Sequence, residues 1–178
     1  MLKGISSMQR MKKLFEEVKN RTGYDIKKHV KIVLCEDEKK FLAIQSKMKR
    51  KKYIFPRHIN DVDAFYFSED KFVAVSPKVK EGTLHFDRVI LHELFHHLLS
   101  HEIPQERIDH MRKNASRKRK RIMKGYMSVG RRMPWSIEER LCDLFAYAIC
   151  PHVQKGSSKM REISLEMMMP LMSKEVKK

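Results

Sequence analysis

The sequence predicts a single α+β domain in which a small, mostly antiparallel sheet packs on a helix carrying a closely spaced histidine pair. Three observations lead there. The 178 residues hold no internal repeat and no low-complexity linker, and the length suits one sizeable core. β-Branched and aromatic residues cluster at 29–35 and 63–77, between segments with helical periodicity. Two apolar stretches, 89–102 and 134–151, are too long for strands.

In chain order, Met8, Met11, Leu14, Phe15 and Val18 recur at three and four, an amphipathic first helix ending near Gly23. HVKIVLC, 29–35, reads as a strand. DAFYFSEDKFVAVSP, 63–77, reads as a hairpin: Ala64 to Phe67, a polar turn at Ser68-Glu69-Asp70-Lys71, then Phe72 to Val75. VILHELFHHLLSHE, 89–102, is a buried helix by virtue of Val89, Ile90, Leu91, Leu94, Phe95, Leu98 and Leu99. A basic insertion follows at about 105–133. PWSIEERLCDLFAYAICP, 134–151, is a second helix with proline at both ends, Ser136 as N-cap and a buried stripe of Ile137, Leu141, Leu144, Phe145, Ala148 and Ile149. A tail at about 157–178, rich in methionine and interrupted by Pro170, is expected to dock on the core as a terminal helix.

Composition removes some functions. No apolar run reaches 18 residues and the N-terminus lacks a continuous apolar signal-peptide segment, so a cytoplasmic protein with no membrane partner is expected. Cys35, Cys142 and Cys150 are odd in number and sit in apolar surroundings, which points to reduced, buried thiols rather than a disulfide framework.

The chemistry concentrates at 89–102, where four histidines and two glutamates stand among leucines. On a helix His92 and His96 project from one face on consecutive turns, a spacing that suits two ligands of one metal ion. Glu93 lies about 100° around the axis, off the coordination but within reach of a water. This HExxH pattern is that of a zinc hydrolase: two neutral imidazoles hold Zn²⁺, which acidifies its water, and the glutamate is general base. Against it stands the plain alternative of surface or satisfied core histidines. Burial among leucines favours the metal, because buried polar groups need partners.

A hydrolytic zinc site needs a third protein ligand. Glu139, with Asp143 four residues later on the same face, is the candidate, and Asp143 would accept the outward N–H of a ligating histidine. Two alternatives stay open. Ser136-Ile137-Glu138-Glu139 is also a capping box, in which Glu139 would only satisfy a backbone donor, and Glu138 is the reserve ligand.

Together HELFHHLLSHE and EERLCDLFAYAICP resemble the ImmA/IrrE-like metallopeptidases, whose pattern is HELxH followed by a helix of the form ExxANxFA running up to a proline. The resemblance covers about half of the chain and departs from the pattern at Phe95, at Cys142 and in a proline one residue early. It implies a zincin-like fold of the small gluzincin kind. Zn²⁺ would be held by His92, His96 and Glu139, with Glu93 catalytic and Asp143 behind the ligands. It further implies a peptidase, often carried by phages or mobile elements, that cuts a specific regulatory protein such as a DNA-bound repressor. Enzymes of this kind seat a peptide along a sheet edge, which the 63–77 hairpin would supply. Tyr66, Tyr126, Tyr147 or His110 could stabilise the oxyanion.

From Arg107 to Arg132 eleven Lys or Arg face a single acid, Asp109, so this segment carries +10 of the formal +17. Arg112, Lys113, Arg117, Lys118, Arg119, Lys120, Arg121 and Lys124 form its dense part and suggest binding of DNA or another polyanion. A solvated, partly disordered loop or an exosite for an acidic protein would look the same in sequence. KMKRKKY, 47–53, is a second basic cluster that could extend that face. The competing function is therefore a basic nucleic-acid-binding protein on a zincin scaffold, its metal structural, closed by His97 or Cys142 as a fourth ligand, and nothing turned over. Beyond that alternative, His29, His58, His85, His97, His101 and His152 receive no role and are read as structural or surface groups.

Overall fold

The computed structural model describes residues 7–50, 62–134, 136–150 and 158–172. Helix α1, Ser7–Thr22, buries Leu14 and Val18 and stops where Gly23 adopts φ 81°, a left-handed conformation that costs glycine nothing. Met8, expected on the buried stripe, is exposed on the first turn. Strand β1, Lys31–Leu34, leads into α2, Glu38–Arg50, a helix absent from the sequence expectations; Asp37 starts it by accepting the Lys40 N–H at 2.6 Å.

Strands β2, Ala64–Phe67, and β3, Phe72–Val75, form the hairpin where expected, with Lys71 at φ 48° in its turn. The sheet is mixed rather than mostly antiparallel. Its order is β1-β3-β2, and β1 runs parallel to β3. The connection through α2 is long enough for that crossover, whereas an antiparallel neighbour needs only a tight turn. Among the described residues β2 is therefore an edge strand.

Thr83 caps α3, Leu84–His97, by accepting the Phe86 N–H at 3.1 Å. Arg10 of α1 grips the first turn of α3 through two bonds to Asp87, 2.6 and 2.7 Å. The helix continues as a π-turn, Leu98–Glu102, closed by Ile103 N–H donating to Leu98 O at 2.9 Å. The basic insertion is no loop. It forms α4, Gln105–Arg117, and α5, Arg119–Ser128, whose inner faces bury Ile108, Met111, Ala115, Ile122 and Tyr126.

Helix α6, Ile137–Ile149, packs on α3, with Phe95 and Phe145 stacked at 4.3 Å between ring centroids; each buried phenylalanine contributes about 1.5–3 kcal/mol. Helix α7, Ser158–Met168, then covers α5 and α6 with Met160, Ile163, Met167 and Met168 buried, and Pro170 ends it in a 3₁₀ turn. A Cβ on Gly125 would stand 2.8 Å from Met160 Sδ, so a larger residue there would make that flexible side chain shift. The result is one α+β domain with a main core around α3 and α6 and a smaller apolar cluster between α2 and the sheet. No helix among the described residues is long and apolar enough to cross a membrane.

Candidate metal centre

Packing of α3 on α6 sets their polar faces side by side. His92 and His96, one turn apart, present rings whose centroids are 5.1 Å apart. Across from them, Glu139 Oε2 lies 3.1 Å from His92 Nε2 and its Oε1 lies 3.3 Å from His96 Nε2. One carboxylate thus spans the same nitrogen of both rings.

The opposite nitrogen of His92 donates to Asp143 Oδ1 at 3.0 Å. Asp143 in turn accepts the Tyr126 hydroxyl at 2.8 Å and lies 3.8 Å from Arg131. Glu138, the reserve ligand, sits 3.3 Å from His96 Nδ1 and backs that ring as Asp143 backs His92. Ser136 caps α6 by accepting the Glu138 N–H at 3.2 Å, while both Glu139 oxygens face the histidines. The capping-box role therefore does not describe the Glu139 carboxylate here.

Burial works against charge on His92, but its bonds to Asp143 and Glu139 outweigh burial and hold its pKa well above the ordinary value. Burial likewise opposes charge on His96, and Cys142, Glu138 and Glu139 reverse it. Glu139 would be raised by burial, yet the two rings hold it far below the carboxylate range. These shifts favour protonated rings beside an ionised carboxylate, so protons compete with a metal for the same nitrogens.

Glu93, about 100° around α3 from His92, is 8% exposed, with its pKa raised by burial. Its carboxylate accepts the backbone N–H of Tyr66 on the edge strand β2. A cleft of about 570 Å³ runs along this strand and holds His92, Glu93, His96, Glu139 and Asp143 together. Arg88, Arg131 and Tyr147 also line it, and Arg88 donates to the Tyr147 hydroxyl at 2.8 Å. Of the four oxyanion candidates, Tyr66 and Tyr147 line the cleft; Tyr66 points its hydroxyl at His97, Tyr126 is turned inward onto Asp143, and His110 is exposed on α4.

Cys142, with His97 the expected fourth ligand of a closed structural site, lies at the histidine pair. It is fully buried, and with His92 and His96 it offers three donor atoms all within 4.8 Å of one another. Its thiol pKa is pushed up by burial. Two donor sets thus compete: two imidazoles with the half-exposed, ionised Glu139, or the same pair with a buried thiol. Cys35 and Cys150 are likewise free and buried.

Of the basic segment, Arg131 lines the cleft and the dense part lies outside it. Lys113, Arg117, Arg119, Lys120 and Lys124 are exposed on α4 and α5. Lys118 and Arg121 are paired with Glu166 of α7, and Arg112 approaches Asp109 at 3.6 Å and Glu138 at 3.9 Å. Of the second basic cluster, 47–50 ends α2 and 51–53 lies outside the described residues, as do His58 and His152.

A second cluster escaped the sequence. His29, His97 and Glu102 also place donor atoms within 4.8 Å of one another. Five residues on an α-helix turn through 500°, leaving His97 and Glu102 about 140° apart, so the spacing carries no signal. The π-turn brings Glu102 back toward His97. The chain matches no protein-family model, no curated protein and no solved structure.

Proposed function

We propose that this chain is a zinc-dependent endopeptidase of zincin-like architecture, working in the cytoplasm. The observation that carries this reading is the convergence of His92 Nε2, His96 Nε2 and the Glu139 carboxylate, one helix face away from the buried Glu93. The donor set fits zinc: two imidazoles and a carboxylate, with Asp143 and Glu138 orienting the rings from behind. A zinc ion held by His92, His96 and Glu139 would supply Lewis acidity toward a carbonyl oxygen and make water more acidic.

The chain's own residues do the rest. Glu93 takes a proton from the attacking water and returns it to the leaving amine; burial, which raises its pKa, makes the carboxylate the stronger base for the first transfer and the acid a better-retained donor for the second. The cleft along edge strand β2 would seat an extended peptide. Tyr147, polarised by Arg88, stands ready to donate to the oxyanion. The substrate class implied by the family resemblance is a regulatory protein bound to DNA, and the exposed cations of α4 and α5 would then concentrate the enzyme near it.

Two measurements test this together: zinc content, and substrate profiling on a denatured proteome read by mass spectrometry. The reading requires one zinc lost in His96→Ala and cleavage lost in Glu93→Gln while that zinc stays. A second reading has its own support in Cys142, whose donor position lets the site close around His92, His96, Glu139 and the thiol as a structural centre in a basic binding protein. Cys142→Ala separates the two. The peptidase keeps zinc and cleavage; the structural site loses zinc and melts at lower temperature.

A further inference from the structure

We propose that His29, His97 and Glu102 form a second divalent-metal site, suited to zinc, independent of the first. Its ligands come from three places: the turn before β1, the last residue of α3, and the end of the π-turn. Glu102 Oε1 lies 2.8 Å from His29 Nδ1 and 3.5 Å from His97 Nε2. Around zinc with bonds of 2.0–2.1 Å a tetrahedral edge is about 3.3 Å, so the observed separations bracket what coordination needs.

The argument rests on His97. Its ring is 0% exposed, and its Nε2 has no hydrogen-bond partner, Glu102 being too distant for one. A buried ring nitrogen without a partner costs about 1–3 kcal/mol, which folding ordinarily avoids. That same nitrogen points at the two other donors. Behind it, His97 Nδ1 lies 2.8 Å from the Tyr66 hydroxyl; if Nδ1 carries the proton and donates to that oxygen, Nε2 is left as a lone pair directed at the cluster. A core histidine in an ordinary role would use both nitrogens. Here one is anchored and the other is left over in the presence of a carboxylate and a second imidazole.

The π-turn gives a further reason. A widened turn forgoes regular α-helical bonding, is rare, and is frequently found at functional sites. This one places Glu102 beside His97, and Glu102 also takes His29 from the far end of the chain segment preceding the sheet. A metal there would tie that turn to the helix that carries the HExxH pair. His29 and Glu102 are partly exposed, so the ion has an entry path and a solvent-facing fourth position.

Zinc per chain, measured by plasma mass spectrometry after dialysis against micromolar free zinc, tests the site without reference to activity. Two ions are expected in the wild type, one in His92→Ala/His96→Ala, and one in His29→Ala/Glu102→Gln. Tyr66→Phe should weaken the second ion roughly tenfold, while leaving the ligands in place. Cobalt substituted into the two double variants should give different visible spectra, since the ligand sets differ. A wild type with a single ion lost entirely in His92→Ala/His96→Ala overturns the proposal. So does a second ion that survives His29→Ala/Glu102→Gln. A single ion that depends on His29 and not on His92 would sustain this site while removing the peptidase reading.

Discussion

Replacing Asp143 by alanine tests the way the candidate centre is held. The carboxylate is 6% exposed and receives two hydrogen bonds, from His92 Nδ1 at 3.0 Å and from the Tyr126 hydroxyl at 2.8 Å. Alanine leaves both donors unsatisfied, and Tyr126 is only 1% exposed, so water cannot easily replace the acceptor. At about 1–3 kcal/mol per stranded group, the loss is about 4 kcal/mol, or roughly 10 °C in Tm for a chain of this size. Freed from Asp143, His92 loses its orientation, and zinc affinity should fall roughly 10–100-fold. Asp143→Asn is the sharper half of the pair. Its oxygen still accepts from His92, and the tyrosine hydroxyl can turn to accept from the amide, so both losses should shrink to under about 1 kcal/mol. Isothermal titration with zinc and a thermal melt measure both quantities on each variant. Zinc affinity within threefold of wild type in Asp143→Ala, alongside a lowered Tm, would mean that Asp143 props the core without orienting the ligand.

Other expectations follow from the same coordinates. Arg10→Ala should cost about 3–5 kcal/mol by chemical denaturation, because it strands the 2%-exposed Asp87 without its paired bonds; a cost under 1 kcal/mol would show that the pair is dispensable. Zinc affinity should fall with acid, since two rings whose pKa values are raised must each release a proton to bind the ion, and calorimetry in buffers of different ionisation enthalpy should count up to about two protons. The metal-free protein should behave in the opposite sense: a raised folded pKa gives stability that is complete below the unfolded value near 6.5 and is lost as pH rises through the folded one, so its Tm should drop above neutrality while the zinc-loaded Tm does not. Retention on DNA, if α4 and α5 supply it, should weaken steeply between roughly 50 and 200 mM salt and disappear in a charge-reversal variant at Lys113, Arg117 and Lys120; unchanged retention would dismiss that surface.

The two helices of the centre were legible because helical spacing alone converts sequence distance into a shared face. His92 with His96, and Glu139 with Asp143, needed nothing but 3.6 residues per turn, and the hairpin needed nothing but period two around a polar turn. What failed to show depended on tertiary context. Parallel pairing of β1 is decided by the path of the crossover, which no local pattern encodes. The basic segment hid its helices because charge dominates its composition, while Ile108, Met111, Ala115, Ile122 and Tyr126 are spread too thinly to stand out, although their spacing is helical. Cys142 could be named from the sequence only as an alternative fourth ligand. It lies three residues after Glu139, nearer the apolar stripe, and only the closeness of α3 brings its sulfur to the histidines.

Carrying the candidate ligands on rigid elements has an energetic consequence for metal binding. His92 and His96 are fixed to a helix whose neighbouring residues, Leu91, Leu94 and Phe95, are fully buried, and Glu139 and Asp143 to another helix locked against it by the Phe95–Phe145 stack. The conformational cost of arranging two imidazoles and a carboxylate is therefore met when the core folds, not when the ion arrives, and what remains is the exchange of protons for metal. Tyr126 extends this control to the basic segment, since its hydroxyl holds Asp143 from α5.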